Sequence, residues 1–186
     1  MEPARLRHLK HQGGFTIIEL MVVIGIAAIL VSILTVAVRQ GSDSFALRRA
    51  ASLAVSEIRR TQSSAIAERR DFVVEFDFGS PVGVTVYRYT DALTWEQVRA
   101  ISAPQAGSGL DAEWPATVTF VAAGSTFGAC GGAALPGAAS NRCVGFGLFG
   151  EPAPAAPAGQ IVLRNSSGTE LQVVVAPATG RVMVQR

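Results

Sequence analysis

The chain has 186 residues, with 16 Lys+Arg against 14 Asp+Glu and a formal charge of +2. So even a balance excludes binding driven by a bulk positive field, the usual mark of a nucleic-acid partner, and leaves only a local patch for that purpose. The length suits a single domain of common size once one long apolar segment is set aside.

The chain opens on a short basic leader, with Arg5, Arg7 and Lys10 against Glu2, that ends in Gly13-Gly14. An apolar run follows from Phe15 to Val38, and its only charged residue is Glu19. About 20 apolar residues suffice to cross a bilayer as a helix. An ordinary secretory signal is excluded, because its apolar region is about 7–15 residues long and ends in a small-residue cleavage site. An ordinary anchor fits poorly too. An acid at the centre of a membrane helix costs about 2.5–3.5 kcal/mol and marks a functional site. The basic leader keeps the N-terminus cytoplasmic and sends residues after Val38 outward.

The segment Gly14-Phe15-Thr16-Ile17-Ile18-Glu19-Leu20-Met21-Val22-Val23 resembles the class III signal of type IV pilins and type II secretion pseudopilins. Glycine, Phe, Thr, the aliphatic pair and Glu all match in register. The resemblance implies that residues 1–14 are a leader removed by a prepilin peptidase, which cuts after Gly14 and methylates the new amine of Phe15. It implies that 15–38 is a transmembrane and assembly helix in which Glu19 takes part in filament assembly. The implied partners are other pilins or pseudopilins and an inner-membrane assembly platform. The implied location is the bacterial inner (cytoplasmic) membrane, single-pass, with the head outside or periplasmic and incorporated into a pilus or pseudopilus.

The chemistry of Glu19 admits two readings. In the first turn of a helix the macrodipole favours an acid by about 0.3–1 kcal/mol, and near the headgroups it stays wet. Alternatively it is held for pairing. Cleavage after Gly14 creates a positive amine about 6 Å away along the helix, and in a bundle of staggered helices one subunit's amine meets its neighbour's carboxylate. Removing one partner of a buried pair costs about 3–5 kcal/mol, so the pair enforces register.

Both histidines, His8 and His11, and the one lysine, Lys10, lie in the leader. A chain cut after Gly14 retains neither residue type, which removes the usual general base, the commonest nitrogen ligand for zinc and the Schiff-base amine. Taking Arg5, Arg7 and Lys10 from the 16 cations and Glu2 from the 14 acids leaves 13 of each. Glu75 and Asp77 read as a solvated strand face, since alternate residues point the same way. No catalytic constellation, metal site or cofactor is expected. A membrane-anchored, outward-facing enzyme, the remaining alternative, would need histidines that lie on the wrong side of the membrane.

Residues 39–70 read as an amphipathic continuation of the helix, with Leu47, Ala51, Ala54, Val55, Ile58, Ala65 and Ile66 on one arc. Arg48, Arg59 and Arg70 form a ridge, flanked by Arg49 and Arg60, while Glu57 and Glu68 form another. These ridges are either a solvated polar face or charge complementarity between subunits. Gly41 is a place for the helix to loosen, since glycine costs about 1 kcal/mol in a helix interior.

Residues 71–186 read as a β-rich globular head. Phe72, Val74, Phe76 and Phe78 alternate on one strand face, and a second run covers Val82 to Tyr89 after the turn Gly79-Ser80-Pro81. Weaker strands are expected at Trp95–Ile101 and Thr117–Val121. Between Gly124 and Gly150 the chain is rich in glycine and alanine, a long surface loop with a short strand at Val144–Phe149. No strand–glycine–helix context supports a nucleotide loop there. Cys130 and Cys143 lie within it and, on the outward side of a membrane, pair as a disulfide more often than not; free thiols or a metal site are the competing readings. Pro152 to Pro157 reads as a stiff extended connector. Three antiparallel strands close the chain, at Gln160–Arg164, Thr169–Ala176 and Arg181–Gln185.

The expected fold class is α+β: a long N-terminal helix, transmembrane and then amphipathic, packed on an antiparallel β-sheet head in the pilin manner. The passages Arg48–Leu53, Ser64–Arg70 and Thr179-Gly180-Arg181-Val182 are similar to type II secretion protein H (GspH) and the FimT/FimU minor pilins. That similarity implies a minor pseudopilin or minor pilin, a low-abundance subunit near a filament tip that helps to start assembly. No proline falls between Phe15 and Val38, unlike many shaft pilins, which agrees with a minor subunit. The alternative is a DNA-binding minor pilin for natural transformation, whose family tail reads Gly-Arg-x-Arg. Here Gly180-Arg181-Val182-Met183 lacks the second arginine, which leaves Arg181 and Arg186 as the candidate phosphate contacts.

Overall fold

The computed structural model describes residues 16–79, 81–90, 94–103, 114–131, 135–154 and 156–186, with the backbone alone over 33–40. The chain divides into two compact units, Met1–Arg39 and Gln40–Arg186. A helix, α1, runs over Ile17–Glu68.

In the first unit Thr16 starts the helix. Its Oγ1 accepts the Glu19 N–H at 3.3 Å and its carbonyl accepts the Leu20 N–H at 3.2 Å, which satisfies two of the donors that a helix N-terminus leaves open. Every side chain from Thr16 to Ser32 is exposed, and most are Ile, Leu, Val or Met. A helix apolar on all sides belongs in lipid or in a bundle of similar helices. Among the described residues no helix is long and apolar enough to cross a membrane.

In the second unit α1 buries one arc made of Leu47, Ala50, Ala51, Ala54, Ile58, Thr61 and Ala65. The four alanines let the helix lie close on its sheets. Val55 is half-buried and packs against this core, while Ile66 is exposed and falls off the expected arc. The helix continues through Gly41. It ends with Arg69 at φ 52° and the Arg70 N–H on the Ala65 carbonyl, a left-handed cap made here without glycine.

Among the described residues nine strands follow: β1 (Phe72–Asp77), β2 (Gly83–Tyr89), β3 (Trp95–Ser102), β4 (Val118–Val121), β5 (Gly128–Ala129), β6 (Arg142–Phe146), β7 (Gln160–Asn165), β8 (Glu170–Val175) and β9 (Val182–Gln185). They form a five-stranded sheet of order β3-β2-β1-β6-β5 and a four-stranded sheet of order β4-β7-β8-β9. Every pairing is antiparallel. The helix and both sheets share one core, to which Phe72, Val74, Phe76, Trp114, Phe120, Phe127, Ile161, Leu163 and Val173 contribute. The arrangement is the α+β, pilin-like one that the sequence predicts.

Three local expectations need correction. The sixth strand is Arg142–Phe146, not Val144–Phe149; Leu148 and Phe149 form a turn instead. The proline-rich stretch is more than a connector. Pro152 bridges Phe146, the Ala153 N–H reaches the Gly145 carbonyl, and the Gly145 N–H reaches Ala156, so this segment lies against β6. Glu75, expected on a solvated face, is only 5% exposed, because β1 is central in its sheet and covered on both sides.

Candidate functional site

At the N-terminus the sequence singles out Gly14, Phe15 and Glu19. Gly14 and Phe15 lie outside the described residues. Glu19 occupies the first turn of α1 with its side chain exposed. There it can accept a donor from outside the chain while its own backbone N–H is held by Thr16.

In the head, the acidic ridge of α1 is occupied internally. Glu57 is 7% exposed, and its two carboxylate oxygens accept from Arg99 Nη1 on β3 at 3.0 and 2.9 Å. Glu68 accepts from Arg88 on β2 at 3.0 Å, and Arg88 also donates to Glu96 at 2.6 Å. Glu57 is therefore not on a solvated face, whereas Glu68 stays exposed, and both carboxylates tie α1 to the β2–β3 side of the five-stranded sheet. The signal was in the spacing, since Glu57 falls on the same arc as Ala54, Ile58 and Thr61.

The cationic residues face the other way. Arg48, Arg49 and Arg60 are exposed, and Arg59 donates to the Val182 carbonyl at 3.2 Å. Arg181 and Arg186 are exposed at opposite ends of β9. The fold brings Arg186 next to Arg48 rather than next to Arg181. Together with Ser44, Leu47, Thr169, Leu171, Val184 and Gln185 these two arginines line a groove of about 490 Å³.

Cys130 and Cys143 form a disulfide with Cα atoms 5.2 Å apart, which decides between the readings left open by the sequence. With Val73 and Ala156 they make a small second core on the face of β1 turned away from α1. Beside it Glu75 accepts from Tyr87 Oη at 2.9 Å, Asn141 Nδ2 at 2.7 Å and the Ala138 N–H at 3.1 Å. Gly137, at φ 85°, passes so close to this carboxylate that a Cβ there would collide with it. Burial and the Glu75 carboxylate push the Tyr87 hydroxyl up to about 12. Among the described residues no group of three or more His, Cys, Asp or Glu could hold a metal ion.

Residues 9–35 match the family model for the prokaryotic N-terminal methylation motif. The chain carries a pilin-class signal. That signal, shared by type IV pilins and pseudopilins, implies a membrane-anchored precursor, processing by a prepilin peptidase and assembly into a pilus. No curated protein and no solved structure matches the chain.

Proposed function

We propose that this chain is a minor pilin or pseudopilin of the GspH/FimT type, a structural subunit of a type II secretion pseudopilus or type IV pilus. It acts in filament initiation or at the tip. The observation that carries this reading is the methylation motif on an exposed apolar helix with Glu19 in its first turn, in a chain whose head is a helix packed on antiparallel sheets. Such a stem is stable only in lipid or among similar stems, so the protein's two resting places are the membrane and a filament.

In this mechanism the peptidase cuts between Gly14 and Phe15 and methylates the new amine. The chain spans the inner membrane once, with its N-terminus cytoplasmic and its head outside. As stems stack on the assembly platform, the Phe15 amine of one subunit reaches the Glu19 carboxylate of another. In a low-dielectric bundle that pair makes any other register costly. Two measurements test this. Mass spectrometry of the exported protein should find N-methylated Phe15 as its first residue, and an intact Met1 would overturn the processing. Glu19→Gln should insert and be cleaved normally yet enter filaments poorly, and normal incorporation would remove Glu19 from the pairing role.

One observation favours the DNA-capturing alternative: Arg48 and Arg186 line one groove, and Arg59 donates to the Val182 carbonyl beside the exposed Arg181. Exposed cations can neutralise phosphates without reading sequence. Gel retardation at low salt decides it, with Arg181→Ala plus Arg186→Ala abolishing any shift the wild type gives.

A further inference from the structure

In the head, the face of α1 turned away from the core is cationic. Arg48 and Arg49 are exposed, and so are Arg59 and Arg60 eleven residues later. Eleven residues make close to three helical turns, so the two pairs share one stripe, about 16 Å apart. That stripe lies opposite the arc of Leu47, Ala54 and Ile58 that enters the core. Between Ser44 and Ser63 the helix carries a single acid, Glu57, and it is buried against Arg99. Arg48, Arg49 and Arg60 make no ion pair among the described residues.

The rest of the head has little to set against this stripe. Glu57, Glu68, Glu96 and Glu170 are held by Arg99, Arg88 and Arg164. Asp43, Glu75, Asp77 and Glu151 each accept from a donor of their own head. Among the described head residues Asp71 is then the one acid without such a partner. A second copy of this chain is therefore a poor complement.

The composition of the stripe points to protein as its partner. Phe45 stands one turn before Arg48 and Arg49 and is 73% exposed. Aromatic rings and arginines are enriched at protein interfaces, whereas a phosphate backbone asks for cations alone. Between the arginine pairs lie Ser52 and Ser56, one turn apart and both exposed. Two such short side chains leave room for another backbone to lie close. Guanidinia then reach it from either end, where each can hold a carboxylate through two parallel N–H···O bonds.

We propose that this stripe docks an acidic surface of a different pilin-class subunit, whose carboxylates meet Arg48 and Arg49 at one end and Arg60 at the other. The inference rests on the filament reading, since stems gathered side by side bring that subunit alongside α1. It adds that the neighbour is not another copy, so one molecule of this chain per filament suffices.

The test uses the full-length chain in cells that assemble the filament, with the photo-cross-linking residue p-benzoylphenylalanine in place of Ser52. After irradiation, mass spectrometry of the filament fraction should place the cross-link on a different chain that begins at a methylated residue. The linked peptide should carry at least two Asp or Glu. Arg48→Glu, Arg49→Glu and Arg60→Glu together should lower the yield about tenfold, whereas lysine at the same three positions should hold it within about threefold. A closed Cys130–Cys143 disulfide on a non-reducing gel shows that each variant's head has folded. An unchanged yield in the glutamate variant would overturn the docking. Cross-links between two copies of this chain, to a peptide without acids, or to a species that nuclease removes would overturn it as well. The chain present in the filament fraction without any cross-link would also overturn it and leave the filament reading standing. Absence of the unsubstituted chain from that fraction would sink the filament reading and the docking together.

Discussion

The two faces of the five-stranded sheet are held in different ways. On the face toward α1, Phe72, Val74, Phe76, Val144 and Phe146 are buried in one large core with the helix and the second sheet. On the opposite face the core is four buried residues, Val73, Cys130, Cys143 and Ala156, and the covering segment is held by a disulfide and by the bonds from Ala138 and Asn141 to Glu75. The first face is stabilised by area, which is non-directional and summed over many contacts. The second depends on a few specific bonds, each of which can be removed alone. The head thus joins a core that tolerates small changes to a cover that a single substitution can release.

The largest expected effect is on the inner face. Phe76 packs edge-on against Phe120, with ring centroids 5.4 Å apart, and stacks on Phe127 at 5.5 Å. Phe76→Ala should therefore cost about 3–5 kcal/mol, read from denaturant unfolding of the full-length protein in detergent. A loss below 1 kcal/mol would mean that the sheets collapse onto the vacated space and that the inner face is not held by packing area.

This contrast also explains what the sequence disclosed. The alternation of Phe72, Val74 and Phe76 and the arc of Leu47, Ala54 and Ile58 are periodic signals, and the inner face was legible from them. The exposed apolar helix from Ile17 was legible because the run from Phe15 carries a single acid. The outer face was not. Glu75 looks like any polar residue on a strand until Asn141 and Ala138 fold over it from more than sixty residues away, and no local pattern encodes that return. Glu57 was misread for a related reason: an acid on a buried arc makes sense only once Arg99 is brought opposite it. The groove at Arg48 and Arg186 was invisible because β9 runs back along α1, so residues far apart in sequence become neighbours.

A smaller effect is expected on the outer face. Replacing Cys130 and Cys143 together by alanine opens a loop with a sequence separation of 13, and the chain-entropy relation puts the loss at about 3 kcal/mol. Hydrogen exchange should rise over β5 and the segment leading into β6, while β7 and β8, in the other sheet, keep their protection. Equal acceleration in both sheets would show that the cover is not separable from the core, and the contrast between the faces would fail.

The smallest effect is a pH dependence confined to the outer face. Burial, then the hydrogen bond to Glu75, raises the Tyr87 hydroxyl from 10.0 to about 12. A group whose folded value is raised contributes stability that is complete below its unfolded value and is lost as pH rises toward the folded one. The contribution of Tyr87 is thus intact below about pH 10 and declines as pH climbs to about 12, because the unfolded chain releases this proton before the folded head does. Tyr87→Phe removes the titrating group and one bond to Glu75, at about 0.5–1.5 kcal/mol, and should flatten the stability curve across that interval relative to wild type. A wild-type curve already as flat as that of the variant would show that the hydroxyl ionises freely in the folded head, and that Glu75 is held by Asn141 and Ala138 alone.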